Sequence, residues 1–272
     1  MTQTRKQDVS MRKQAFARRT ATRIWSEEAS IHNPYLATRA LCHGYDLHEL
    51  MAKRSFVDVF YLLFRGELPG SAQAQLLQTL MIALINPGPR HPATRAAMNA
   101  GIGKTNPLHI MPIAASLLGG EHRGGAEVEA AMRFLAKYQG SDPCVVSRSA
   151  MLQEMDAAAK ETSVTPGFGK HYGGVDPMAA TMARQILALE GAGRSLKWAE
   201  KLVASLLPHG IGWLMTGLAA AVFTDLGFPP RVGACLFQLM GCPGLLAHGL
   251  EMANQPINAM PFVSDENYVI ER

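Results

Sequence analysis

Residues 165–177 read T-P-G-F-G-K-H-Y-G-G-V-D-P. Four glycines and two prolines exclude regular helix or a central strand here, because both residues set special backbone angles and interrupt the hydrogen-bond ladders. Lys170 and His171 stand side by side inside this frame. The segment reads as a turn, a phosphate cradle or an active-site loop. A second joint of the same texture, G-G-E-H-R-G-G, occupies 119–125 and also carries a histidine, His122. Glycine-rich joints bearing histidines are the best site candidates on chemistry alone.

Working outward, almost every flanking segment has helical periodicity. Helices are predicted over 46–53, 55–65, 71–85, 94–103, 108–118, 126–138, 147–161, 177–189, 196–207, 211–226 and 230–253, with 28–35 as a lead-in. Ser55 is placed to cap the second, where Phe56, Val59, Phe60 and Leu63 recur at helical spacing. Asp176-Pro177 opens another, with proline in its first turn. No run of alternating strand and no internal repeat is evident. The expected fold class is all-α, with helices joined by short Gly/Pro connections.

The chain of 272 residues has room for one large and one small domain. Apolar residues make up 48% and charged residues 18%, a globular composition. The net charge is +4, and much of the basic excess sits in an arm over 1–24: Arg5, Lys6, Arg12, Lys13, Arg18, Arg19 and Arg23. The arm reads as solvated or packed on a partner subunit; an Arg-rich targeting peptide is the alternative, and no secretory apolar core is present. A cytoplasmic protein is expected. Aromatics at 7%, without a basic stripe, argue against nucleic acid as a partner. The apolar run 210–224 is short for a bilayer span and reads as a core or interface helix, so no membrane partner is expected. Cys42, Cys144, Cys235 and Cys242 show no CxxC spacing and read as buried thiols, with no metal site.

Five stretches, in order, resemble the citrate synthase superfamily, and in texture its compact citryl-CoA lyase branch. S-F-V-D-V-F-Y-L-L-F-R-G-E-L-P (55–69) is similar to the family's "SF-x-E-x-x-x-LLL-x-GELP". L-G-G-E-H-R-G-G-A (118–126) resembles its histidine loop, and 167–178 resembles "GFGH-R-x-x-x-x-DPRA". D-L-G-F-P-P (225–230) and G-L-L-A-H-G-L-E-M (244–252) complete the series. The resemblance covers nearly the whole chain after the arm. It implies a helical homodimer with a large domain (25–165 and 210–272) and a small one (166–209). It also implies an active site that makes or breaks a C–C bond next to a CoA thioester. The implied partners are CoA or an acyl-CoA and a small carbonyl compound; no permanently bound cofactor is expected. A base and an oxyanion stabiliser must act together, because a thioester α-proton is weakly acidic.

The implied site departs from the family residue by residue. The first catalytic histidine falls on Arg123, with His122 one place earlier; the second falls on Lys170, with His171 one place later. The catalytic aspartate falls on Thr216, and substrate arginines fall on Met178, Gly241 and near Met260. A further family histidine falls on Pro87, with His91 four residues on. A dicarboxylate needs fixed cations, which Met178, Gly241 and Met260 cannot supply. Citrate synthase activity with oxaloacetate is therefore not expected. The catalytic candidates are His122, His171, Glu121 (a replacement acid in the histidine's own loop) and Thr216. The CoA-side candidates are Gly167, Phe168, Gly169, Lys170 and Arg123. Each has a plainer alternative: loop histidines for His122 and His171, a solvated acid for Glu121, a helix-backbone bond for Thr216. Asp176 reads as an N-cap, His248 as a packed helix histidine and His209 as a helix boundary. Three readings stand: a CoA-thioester C–C lyase or synthase with a partner less anionic than oxaloacetate; an inactive dimer that binds CoA or regulates a true enzyme; and an enzyme of altered acyl-CoA chemistry, hydrolysis or hydration.

Overall fold

The structure, a computed structural model, describes residues 19–156, 165–261 and 263–268. Most of the basic arm, and the end of the helix predicted over 147–161, lie outside the described residues. The chain divides into two compact units, Met1–Glu67 and Leu68–Arg272. The domain boundaries expected at 165 and 209 both fall inside the second unit.

The first unit corrects the all-helical expectation. Strands β1 (Trp25–Ala29), β2 (Ala37–Cys42) and β3 (Tyr45–Asp46) form an antiparallel meander in that order, so the fold is mostly helical with a small sheet. β1 is exposed along its whole length, so no buried face imposes the alternation by which a strand is read from sequence. Asp46 then caps α1 (Leu47–Lys53), and Ser55 caps α2 (Phe56–Arg65) through a reciprocal box: Ser55 Oγ accepts from the Asp58 N–H at 3.2 Å, and Asp58 Oδ2 accepts from the Ser55 N–H at 3.0 Å. Gly66, at φ 78°, ends the helix.

The second unit contains α3 (Ser71–Leu84), α4 (Pro92–Ile102), α5 (Pro107–Leu118), α6 (Gly125–Tyr138), α7 (Pro143–Asp156), β4 (Phe168–Gly169), α8 (Pro177–Leu187), α9 (Arg194–Leu206), β5 (Gly212–Trp213), α10 (Met215–Asp225) and α11 (Pro230–Ala253). α11 spans the range expected and packs on α4, α5 and α6. It is long and apolar enough to cross a membrane by length and composition, but here Leu236, Phe237, Met240 and Leu245 are buried in the core. It meets α4 backbone to backbone: a Cβ on Gly101 would stand 2.0 Å from the Gly249 carbonyl oxygen. α10 begins later than expected because Gly212–Trp213 pairs antiparallel with Phe168–Gly169. Phe168 and Trp213 are fully or nearly fully buried with ring centroids 5.2 Å apart. Burying a Phe-sized side chain stabilises by about 1.5–3 kcal/mol, so this pair fastens the glycine-rich loop to the start of α10. All four cysteines are free: Cys42 and Cys242 are buried as expected, whereas Cys144 and Cys235 are exposed.

Candidate active site

The second unit holds a cavity of about 540 Å³ whose wall takes residues from both glycine joints, from the 86–91 loop, and from α8, α10 and α11. Arg123, His171 and Thr216 line it, together with Arg90, His91, Tyr172 and Asp176. His122, Glu121 and Lys170 do not line it; all three side chains are exposed. Gly167, Phe168 and Gly169 are buried behind the wall as framework, with the Phe168 ring in the aromatic core.

Arg123 is held by its backbone. Its φ is 55°, a left-handed conformation uncommon outside glycine, and one sustained by its surroundings. Its N–H donates to Glu127 Oε2 at 2.9 Å, and its carbonyl oxygen lies 3.3 Å from His91 Nε2. The guanidinium stacks over the Tyr172 ring at 4.9 Å. Among the described residues it forms no ion pair.

His91 is occupied at both nitrogens. As N-cap of α4, its Nδ1 accepts from the Ala93 N–H at 3.1 Å, which leaves Nε2 as the donor to Arg123. Burial holds its pKa below the ordinary histidine value, and the nearby Arg123 charge adds to this. His91 is thus a neutral pin for the Arg123 backbone. It was only noted in the sequence; its role depends on a contact 32 residues away.

His171 begins a tight hairpin. Its N–H and carbonyl bond with Gly174, and positive φ at Tyr172 (48°) and Gly173 (83°) makes the turn between them. The imidazole lines the cavity with its Nδ1 3.9 Å from Asp176 Oδ2, an electrostatic approach rather than a hydrogen bond. Burial and the Arg123 charge lower the His171 pKa, only partly offset by Asp176, so the ring is neutral at pH 7. Asp176 is the N-cap of α8 as expected: its Oδ1 accepts from the N–H groups of Met178 and Ala179. His209 lies in a 3-10 turn between α9 and β5, and His248, half-buried on α11, approaches the exposed Asn86 at 3.2 Å.

One residue that the sequence reading passed over organises both joints. Glu127, 8% exposed, accepts from the Arg123 N–H with Oε2 and from the Gly167 N–H with Oε1 at 3.2 Å. At the first turn of α6 it looks like an ordinary helix-opening acid, so no signal in the sequence marks it. The Gly167 loop in turn presses on α10: a Cβ on Gly217 would stand 2.0 Å from the Gly167 oxygen. Gly241 also lines the cavity, and a Cβ there would lie 2.5 Å from Leu118 Cδ2, so a side chain would have to displace that leucine. The position where a substrate arginine was expected thus presents glycine to the cavity. Among the described residues, no cluster of three or more His, Cys, Asp or Glu could hold a metal ion.

The fold as a whole has clear structural counterparts. Citryl-CoA lyase from Hydrogenobacter thermophilus superposes with a TM-score of 0.73 over 94% of this chain and 95% of that one, at 22% identity. The chain has the citrate synthase fold. The citrate synthase of Thermoplasma acidophilum, determined with carboxymethyl coenzyme A and oxaloacetate, gives a TM-score of 0.61 at 19% identity over 80% of this chain and 57% of that one. ATP citrate lyase from Methanothrix soehngenii, in complex with citrate and coenzyme A, gives 0.69 at 15% identity over 94% of this chain; this chain spans 44% of its length. No protein-family profile and no curated protein matches the sequence, so the likeness is one of fold.

Proposed function

We propose that the protein is a CoA-thioester C–C lyase or synthase acting on a carbonyl partner less anionic than oxaloacetate. The observation that carries this reading is one cavity bringing an unpaired guanidinium, Arg123, and a neutral imidazole, His171, onto the same wall. In the direction of synthesis, His171 takes a proton from the carbon next to the thioester carbonyl. The C–H electron pair moves into the enolate, whose oxygen is met by Arg123. The enolate carbon then bonds to the partner's carbonyl carbon, and the new alkoxide recovers the proton from His171. The product is a hydroxyacyl-CoA, and cleavage runs the same steps backwards. Glycine at 241 and methionine at 178, where the resemblance implies arginines, support a partner with fewer anionic groups than oxaloacetate. Exposed apolar side chains on α5 (Leu108, Met111, Leu117) and α11 (Leu239, Leu250) support a homodimer.

A specific observation favours the second reading, an inactive CoA-binding dimer. Asp176 is the one carboxylate among the described lining residues, and one of its oxygens is already committed to the α8 cap. Deuterium incorporation from solvent into the acetyl-CoA methyl group separates the two. Exchange supports the enzyme. Thermal stabilisation by CoA without exchange supports the inactive dimer, and no response to any CoA species overturns both.

A further inference from the structure

Neighbouring residues of an extended strand point to opposite faces, yet His171 and Tyr172 both line the cavity. The turn makes this possible: φ is 48° at Tyr172 and 83° at Gly173. A turn with positive φ at both central residues ordinarily opens with asparagine, aspartate or glycine, and a bulky side chain there is an outlier. Core packing does not account for the tyrosine. It is 62% exposed, and a Cβ on Gly173 or Gly174 would meet nothing within 4 Å, so the tip of the hairpin is open. The ring instead touches the two groups that the cavity brings together. The Arg123 guanidinium carbon lies 4.9 Å from the ring centre, in cation–π contact. The His171 imidazole meets the same ring edge to face, with centroids 4.5 Å apart and planes at 83°. A strained residue with contacts of this kind, outside the core, points to function rather than to folding.

We propose that Tyr172 is a positioning residue whose ring holds the Arg123 guanidinium and the His171 imidazole in a fixed relation on the cavity wall. This rests on the reading above, with Arg123 as the enolate's partner and His171 as the base. The two must meet neighbouring atoms of one thioester: the base takes a proton from the α-carbon while the guanidinium meets the oxygen of the adjoining carbonyl. Backbone ties alone do not fix that relation. Glu127 and His91 hold the Arg123 main chain and leave its long side chain its rotamer freedom. Tyr172 supplies the restraint from the other joint, so one ring pins the side chain of the first joint beside the imidazole of the second. A guanidinium held over a ring keeps its in-plane N–H donors free for an oxyanion. A misplacement of about 1 Å is enough to cost about a hundredfold in rate.

Tyr172→Asn and Tyr172→Phe in the full chain test the assignment. Three readouts are compared: melting temperature, deuterium exchange into the acetyl-CoA methyl group, and the titration of His171 followed by NMR without any thioester. Asparagine suits the positive φ, so Tyr172→Asn melts at the parent's temperature or above it, a result that separates positioning from folding. Its exchange nevertheless falls at least about tenfold. Burial and then the Arg123 charge hold the His171 pKa low, so a released guanidinium lets that pKa rise; Arg90, His122 and Asp176, the other charged or titratable groups around the imidazole, are unchanged. Tyr172→Phe keeps the ring and recovers both the low pKa and an exchange rate within about threefold of the parent. In an Arg123→Gln background, Tyr172→Asn changes the His171 titration less than it does in the parent. A Tyr172→Asn protein with the parent's His171 titration, a Tyr172→Phe protein as impaired as Tyr172→Asn, or equal effects with and without Arg123 would overturn the assignment. Because the titration needs no thioester, it judges the positioning even if the parent shows no exchange, a result that bears on the enzymatic reading alone.

Discussion

The two glycine joints solve the same problem in opposite ways. At 119–125 the position expected for a catalytic histidine lines the cavity, but it holds Arg123, and His122 stands in solvent. At 165–174 the expected position, Lys170, stands in solvent, and the neighbouring His171 lines the cavity. The first joint keeps the position and changes the residue; the second keeps the residue and changes the position. In both, the backbone decides which of two adjacent side chains the cavity receives. Left-handed turns at Arg123 and Tyr172 make that choice, and Glu127 ties the two joints through one carboxylate.

The sharpest way to break this pairing is at the tie. Glu127→Ala leaves the amides of Arg123 and Gly167 without acceptors in a buried setting, and should destabilise by about 2–4 kcal/mol in chemical denaturation. It should also disorder both joints together, lowering thioester exchange. Glu127→Gln, which keeps one acceptor oxygen, should recover part of each loss.

Arg123→Gly separates backbone from side chain at the first joint. The left-handed strain is relieved, so stability should hold or rise by up to about 1 kcal/mol. Loss of the guanidinium should nevertheless lower methyl-proton exchange about a hundredfold, the scale of removing an oxyanion donor. An arginine that serves only packing would show the reverse pattern.

Titration bears on the histidines of both walls. His91 and His171 have folded pKa values below the ordinary histidine value, so the unfolded chain binds their protons first. Their contribution to stability is complete above the unfolded pKa of about 6.5 and is lost as pH falls below it. Thermal melts between pH 8 and 5 (about the range in which histidine titrates) should therefore decline towards acid. His91→Asn, which still offers the Ala93 N–H an acceptor, should flatten that decline. The smallest effects belong to the outward members of each pair. His122→Ala, Glu121→Gln and Lys170→Ala should each change stability by no more than about 0.5 kcal/mol and leave exchange unaltered.

The helical frame was legible in the sequence where periodicity and caps agreed, as for α2 behind Ser55 and α11 after Pro229. The meander at 25–46 was not, because β1 buries no face and so carries no alternation. The start of α10 was misplaced because Gly212–Trp213 is drawn into pairing with a loop more than forty residues away. For the site, the two glycine-rich joints could be read directly, with His122 and His171 as equal candidates. Which neighbour faces inward could not, since it depends on positive φ at Arg123 and Tyr172, non-glycine residues for which sequence gives no such expectation. Glu127 was hidden by resembling a first-turn helix acid, and His91 by a partner distant in sequence.

Deuterium exchange into the acetyl-CoA methyl group, compared between the parent protein, His122→Asn and His171→Asn, tests the central claim most directly. Exchange should occur in the parent, persist in His122→Asn and disappear in His171→Asn. Loss in His122→Asn with retention in His171→Asn, or no exchange in the parent, would contradict the account.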